Sequence, residues 1–152
     1  MNIKWIAKKY GARAKKLLNQ IKAACVERGL AVSDTYFLDA DDYRWNFSVG
    51  NTENGQAVDV TLQVAESTEC DGTDDGINFS LDIVAWGGEI VGGLTPYNYT
   101  DYVWVNPKDK QAVEDRFCLI EDSDTESAAK LINDFMQAKG WIKAQKERQE
   151  KE

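Results

Sequence analysis

Three runs of alternating apolar and polar residues occupy the middle of the chain and constrain its fold more than any other feature. Tyr43, Trp45, Phe47 and Val49 are spaced by two; Val58, Val60, Leu62 and Val64 repeat that spacing, as do Ile77, Phe79, Leu81 and Ile83. Successive side chains on a strand point to opposite faces, so each run predicts a strand with one apolar and one polar face. The polar partners are Arg44, Asn46 and Ser48, then Asp59, Thr61 and Gln63, then Asn78, Ser80 and Asp82, and they are expected to face solvent. A sheet wet on one side is normally antiparallel and needs apolar cover on the other.

The flanking segments supply that cover. Ile3, Ile6, Tyr10, Ala14, Leu17, Leu18, Ile21, Ala24 and Cys25 recur at intervals of three and four, which predicts an amphipathic helix over 3–28, with Gly11 a place for a bend. Gly29-Leu30 is a suitable stop: glycine accepts the left-handed conformation and the following apolar residue folds back. Behind the strands, Asn106-Pro107 reads as a cap and first helical position, followed by Ala112, Val113, Phe117 and Ile120. Ser123 and Glu126 match a capping box ahead of Ala128, Leu131, Ile132, Phe135 and Met136.

Between these helices the expected order is an extended piece at 35–38, strands over 43–49 and 56–65 joined through Asn54-Gly55, a polar loop over 66–76, and a third strand ending near Trp86. The glycine pairs at 87–88 and 92–93 bracket a short or bulged strand, and Tyr102 to Val105 reads as a further edge strand. The fold class is therefore α+β: a long N-terminal helix, an antiparallel sheet of four to five strands, and two C-terminal helices packed on one face. At 152 residues without internal repeats, 1–140 reads as a single domain and 141–152 as a charged C-terminal tail.

Composition then limits chemistry. The chain has no histidine, which removes the commonest general base and metal ligand. Cys25, Cys70 and Cys118 are isolated singletons with no pair at zinc spacing and no disulfide pattern. Cys25 falls on the apolar stripe of the first helix, Cys118 neighbours core positions, and Glu69 and Asp71 would suppress a thiolate at Cys70. No set of residues divides into nucleophile, base and stabiliser, so the expectation is a non-enzymatic protein without metal or cofactor. Met1 to Tyr10 has lysines but no continuous apolar stretch and no run approaches membrane length, so the expectation is a cytoplasmic protein with no secretory leader and no membrane association. Asn98-Tyr99-Thr100 therefore has no meaning as a glycosylation signal.

Two motifs resemble ligand loops incompletely. Asp71, Thr73, Asp75, Gly76 and Asp82 fall at positions of the calcium-loop pattern, but Thr73, Phe79 and the short Asp82 depart from it. The stretch Gly87 to Gly93 lacks the Lys-Ser/Thr of a phosphate loop and carries Glu89, so turn geometry explains its glycines.

Charge is the most informative remaining signal. Residues 1–30 hold eight basic residues and one acidic; residues 31–126 hold four basic and 21 acidic, within a formal net charge of -8. A field of this kind steers a protein toward cationic macromolecules and works against direct nucleic-acid binding. The expected partner is a basic protein surface, of a nucleic-acid-binding enzyme or a toxin. The expected contacts are the acidic stretch Glu69, Asp71, Asp74 and Asp75 and the aromatic stretch Tyr97, Tyr99, Tyr102 and Trp104. Three functions fit: an acidic inhibitor of the type phages and mobile elements use against host defence proteins, an immunity protein that neutralises a toxin, and a nucleic-acid or assembly factor acting through Lys8, Lys9, Arg13, Lys15 and Lys16.

Overall fold

A computed structural model describes residues 4–38, 43–70, 74–93 and 105–142, with side chains described except at 38, 65–70, 74, 75 and 93. The elements run α1 (Lys4–Glu27), β1 (Tyr36–Leu38), β2 (Tyr43–Asn51), β3 (Gln56–Cys70), β4 (Asp74–Ala85), β5 (Ile90–Gly93), α2 (Lys110–Glu121) and α3 (Thr125–Ala138). The strands form one antiparallel meander in the order β1-β2-β3-β4-β5, so the expected α+β fold is the observed one.

The alternation in the sequence maps onto the pleat. Trp45, Phe47 and Val49 on β2, Val58, Val60, Leu62 and Val64 on β3, and Ile77, Phe79, Leu81 and Ile83 on β4 are all buried in a single core. α1 contributes Ile6, Tyr10, Ala14, Leu17, Leu18, Ile21, Ala24 and Cys25 to it, and its C-terminus closes as read. Gly29 has φ 79°, its N–H donates to Val26 O at 2.9 Å, and Leu30 N–H donates to Cys25 O at 3.1 Å. These two bonds satisfy helix-end carbonyls while buried Leu30 packs back on the core.

α2 lies over β4 through Phe117, which meets Phe79 edge-on at 5.1 Å and Tyr10 at 4.6 Å. Arg116 is also buried there, and its guanidinium donates to Asn78 Oδ1 and Phe79 O, both at 3.1 Å. α3 packs beside α1 and over β5.

The structure corrects four expectations. α2 begins at Lys110 with Asp109 as cap, its side chain accepting from Ala112 N–H at 3.1 Å. Asn106-Pro107 instead forms a preceding turn, in which Asn106 Oδ1 accepts from Lys108 N–H and Asn106 O from Asp109 N–H; asparagine followed by proline suits a turn's first two positions equally well. α3 is capped by Asp124 rather than Ser123, because its carboxylate reaches Glu126 N–H, Ser127 N–H and the Ser127 hydroxyl together. Most of the expected loop over 66–76 is strand, since β3 runs to Cys70 and β4 starts at Asp74. Val105 pairs with Ile77 as an isolated bridge, and the rest of the strand expected from Tyr102 lies outside the described residues.

The fourth correction concerns the polar face of the sheet. Asn46, Ser48, Asn78 and Ser80 are buried rather than solvated. Short polar side chains sink between longer neighbours and bond sideways: Asn46 donates to the Tyr36 hydroxyl and accepts from Thr61, and Ser48 donates to Asp59. Lateral pairing of this kind stands in for water at Asn46 and Ser48.

Candidate binding surfaces

The acidic stretch sits at the end of a long hairpin. β2 pairs with β3 as far as Tyr43 opposite Val64, whereas β3 continues from Ala65 to Cys70, paired with the start of β4. At about 3.3 Å per residue, that extension carries the hairpin roughly 20 Å past the last β2–β3 pair. On the other flank, β5 pairs with β4 at Asp82, Ile83 and Val84, and Val105 bridges Ile77. Residues 66–70 and 74–76 thus form an arm that projects beyond the described residues of both neighbours, with a register shift between Ser67 and Cys70.

Of the expected contact residues, Glu69, Asp74 and Asp75 lie on the backbone of this arm, with their side chains outside the described set, and Asp71 lies outside it altogether. Tyr97, Tyr99, Tyr102 and Trp104 likewise lie outside the described residues. The calcium-loop resemblance does not survive the fold. Asp75 and Asp82 are seven positions apart on one continuous strand, so they stand about 23 Å apart at ordinary strand rise. Among the described residues, no group of three or more acids or cysteines is placed to hold a metal ion.

Other acids turn out to serve the fold. Arg13 on α1 donates from Nε and Nη2 to Glu121 at 2.8 and 2.7 Å, and from Nη1 to Glu114 at 2.9 Å. The Tyr10 hydroxyl adds a 2.7 Å bond to Glu114, and the guanidinium lies over the Tyr10 and Phe117 rings. The Tyr10 hydroxyl and then Arg13 hold the Glu114 carboxyl below its ordinary range; Arg13 does the same for Glu121. Burial, and then the bond to Glu114, raises the Tyr10 phenol well above its usual range. Arg28 on the same helical segment pairs with Glu126 at 3.5 Å. The two arginines of the basic N-terminal segment therefore neutralise acids of α2 and α3, while Lys8, Lys9, Lys15 and Lys16 are exposed. Sequence spacing could not reveal this, because the partners are 98 to 108 residues apart.

The outward face of the sheet adds a feature that pattern reading missed. Asp59 Oδ1 accepts from both the Ser48 hydroxyl at 2.6 Å and the Trp86 indole N–H at 2.8 Å. One register step away, Asp82 accepts from Ser80 at 3.0 Å, and burial raises its carboxyl above the usual range against that bond. Trp86 remains substantially exposed beside Asp59, as does Ile90 across Val84.

Two of the three cysteines, Cys25 and Cys118, are described with their side chains. Cys25 is fully buried and its thiol is pushed up to about 12, while half-buried Cys118 is raised chiefly by burial.

Together these features define an α+β protein with three helices over a five-stranded meander and an acidic hairpin arm. No protein-family model, curated protein or solved structure matches the chain. Among the described residues, no helix is long and apolar enough to cross a membrane.

Proposed function

We propose that this is a non-enzymatic acidic binding protein that occupies a basic, nucleic-acid-binding surface of another protein, as phage or mobile-element inhibitors of host defence proteins do. The observation that carries the reading is the distribution of charge over the sheet. Residues 45–107, which include β2 after its first two residues and all of β3, β4 and β5, contain no lysine or arginine, but ten acids: Glu53, Asp59, Glu66, Glu69, Asp71, Asp74, Asp75, Asp82, Glu89 and Asp101. Five of the ten fall on residues 66–76, the arm that projects past its neighbouring strands.

Electrostatics links this to function. Carboxylates on a projecting element, with no cation nearby in sequence, set up a field that attracts a cationic groove and speeds encounter. Arg13 and Arg28, spent on Glu114, Glu121 and Glu126, do little to offset it at long range. The internal pairing also takes one cation, Arg13, from the alternative in which the first helix binds nucleic acid, leaving it Lys8, Lys9, Lys15 and Lys16.

The test is competition. The protein, immobilised, is used to capture partners from cells of its source, and salt-eluted proteins are identified. The reading expects a nucleic-acid-binding enzyme that releases its DNA or RNA as this protein is added. Capture of a toxin with no nucleic-acid site would favour the immunity reading, and retention on DNA itself would favour the basic helix.

A further inference from the structure

A second site lies at the opposite end of the sheet from the arm. The C-termini of α1 and α3 converge there on the β2–β3 turn, around a cavity of about 440 Å³. Its walls are Leu30, Met136, Trp141 and Ile142; Glu53 and Gln56 stand at the turn side. The sequence accounts for the opening. Gly50 has φ 114°, and a Cβ there would lie 2.4 Å from Gln56 O and 2.9 Å from the Met136 methyl, so only glycine leaves this geometry intact.

Among the described residues, the charge and helix dipoles at the cavity have one sign. Both helices end in the same manner: Gly140 N–H donates to Gln137 O and Trp141 N–H to Met136 O, repeating the Gly29-Leu30 closure of α1. Two helix C-termini therefore direct the negative ends of their dipoles toward one space. Among the described residues, Glu53 is the only ionisable one lining it, and no lysine or arginine does so. The indole of Trp141, held edge-on to Phe135 at 5.6 Å, supplies an aromatic wall.

We infer that this cavity receives an arginine side chain presented by the basic partner, with the guanidinium beside Glu53 and the helix ends and its aliphatic stem against Met136 and Trp141. A guanidinium fits better than an ammonium: it is weakly hydrated and planar, so it stacks on an indole while donating to a carboxylate and carbonyls. This inference rests on the proposed function for its source of arginine, but its chemistry can be tested separately.

The test uses the full chain and a blocked Gly-Arg-Gly peptide, with Gly-citrulline-Gly as the neutral isostere. The probes are NMR signals of the Met136 methyl and of the Trp141 indole N–H, the latter assigned with Trp141→Phe. The arginine peptide should shift both signals saturably, the citrulline peptide should not, and Glu53→Gln should weaken binding at least threefold. Equal response to both peptides, or no effect of Glu53→Gln, would overturn the inference. So would a change of the same signals on Lys143→Gln with no response to peptide, since the chain's own basic tail would then be the occupant. If the peptide binds but no basic partner is captured, the proposed function fails and the cavity assignment stands. If a partner is captured and the peptide does not bind, the reverse holds.

Discussion

Arg13 and Glu121 join the first helix to the second by two parallel hydrogen bonds of 2.8 and 2.7 Å, across 108 residues of sequence. The same guanidinium holds Glu114, so one side chain bridges two carboxylates that would otherwise repel each other. Removing it takes away the main partner of Glu121 and leaves Glu114 with the Tyr10 hydroxyl. Arg13→Ala should destabilise the protein by about 2 kcal/mol, less than a fully buried pair because solvent reaches these groups. Urea denaturation at neutral pH measures it.

The same network fixes a pH dependence. Glu114 and Glu121 have folded-state pKa values below the ordinary 4.5, so their contribution is fully present above that value. It is lost as the pH falls through the lower folded-state range. The stability gap between the wild-type protein and Arg13→Ala should therefore be constant from pH 7 to about pH 5 and shrink on further acidification. A gap that widens in acid would contradict the assignment.

Asp82 carries the opposite sign. Burial raises its carboxyl above the ordinary 3.8, so ionisation costs the folded state stability as the pH rises past that value. Asp82→Asn keeps an acceptor for the Ser80 hydroxyl and removes the charge. The variant should be more stable than wild type at pH 7, and the difference should vanish below about pH 3.5. Thermal unfolding at the two pH values decides it.

Two glycines should respond in opposite directions to alanine. At Gly11, inside α1, an added Cβ would meet Trp45 at an ordinary 3.8 Å, so Gly11→Ala should stabilise by about 0.5–1 kcal/mol through helix propensity. At Gly50 the positive φ and the 2.4 Å approach to Gln56 O forbid a side chain, and Gly50→Ala should cost about 2 kcal/mol or more. Both follow from equilibrium denaturation.

These cases separate what the sequence carries from what it does not. The strands at Tyr43, Val58 and Ile77 were legible because a period of two leaves a local trace in composition, and Gly29-Leu30 because helix closure needs a residue tolerant of positive φ. Asn106-Pro107 misled because a turn and a helix start ask for the same two residues. The arm was read as a loop because Glu66, Ser67, Thr68 and Glu69 lack an apolar alternation, although β3 continues through them by pairing with β4 alone. The Arg13 network and the convergence of Leu30, Met136 and Trp141 left no trace, since both bring together residues about a hundred positions apart.

The central claim is that the arm over 66–76 makes the first contact with a cationic partner. Its most direct test is the association rate of the captured partner with the triple variant Asp71→Asn, Asp74→Asn, Asp75→Asn, followed by stopped flow at low and high salt. The account predicts association slowed about tenfold at low salt, a shallower salt dependence, and an unchanged melting temperature. An unchanged low-salt rate in a folded variant would contradict it.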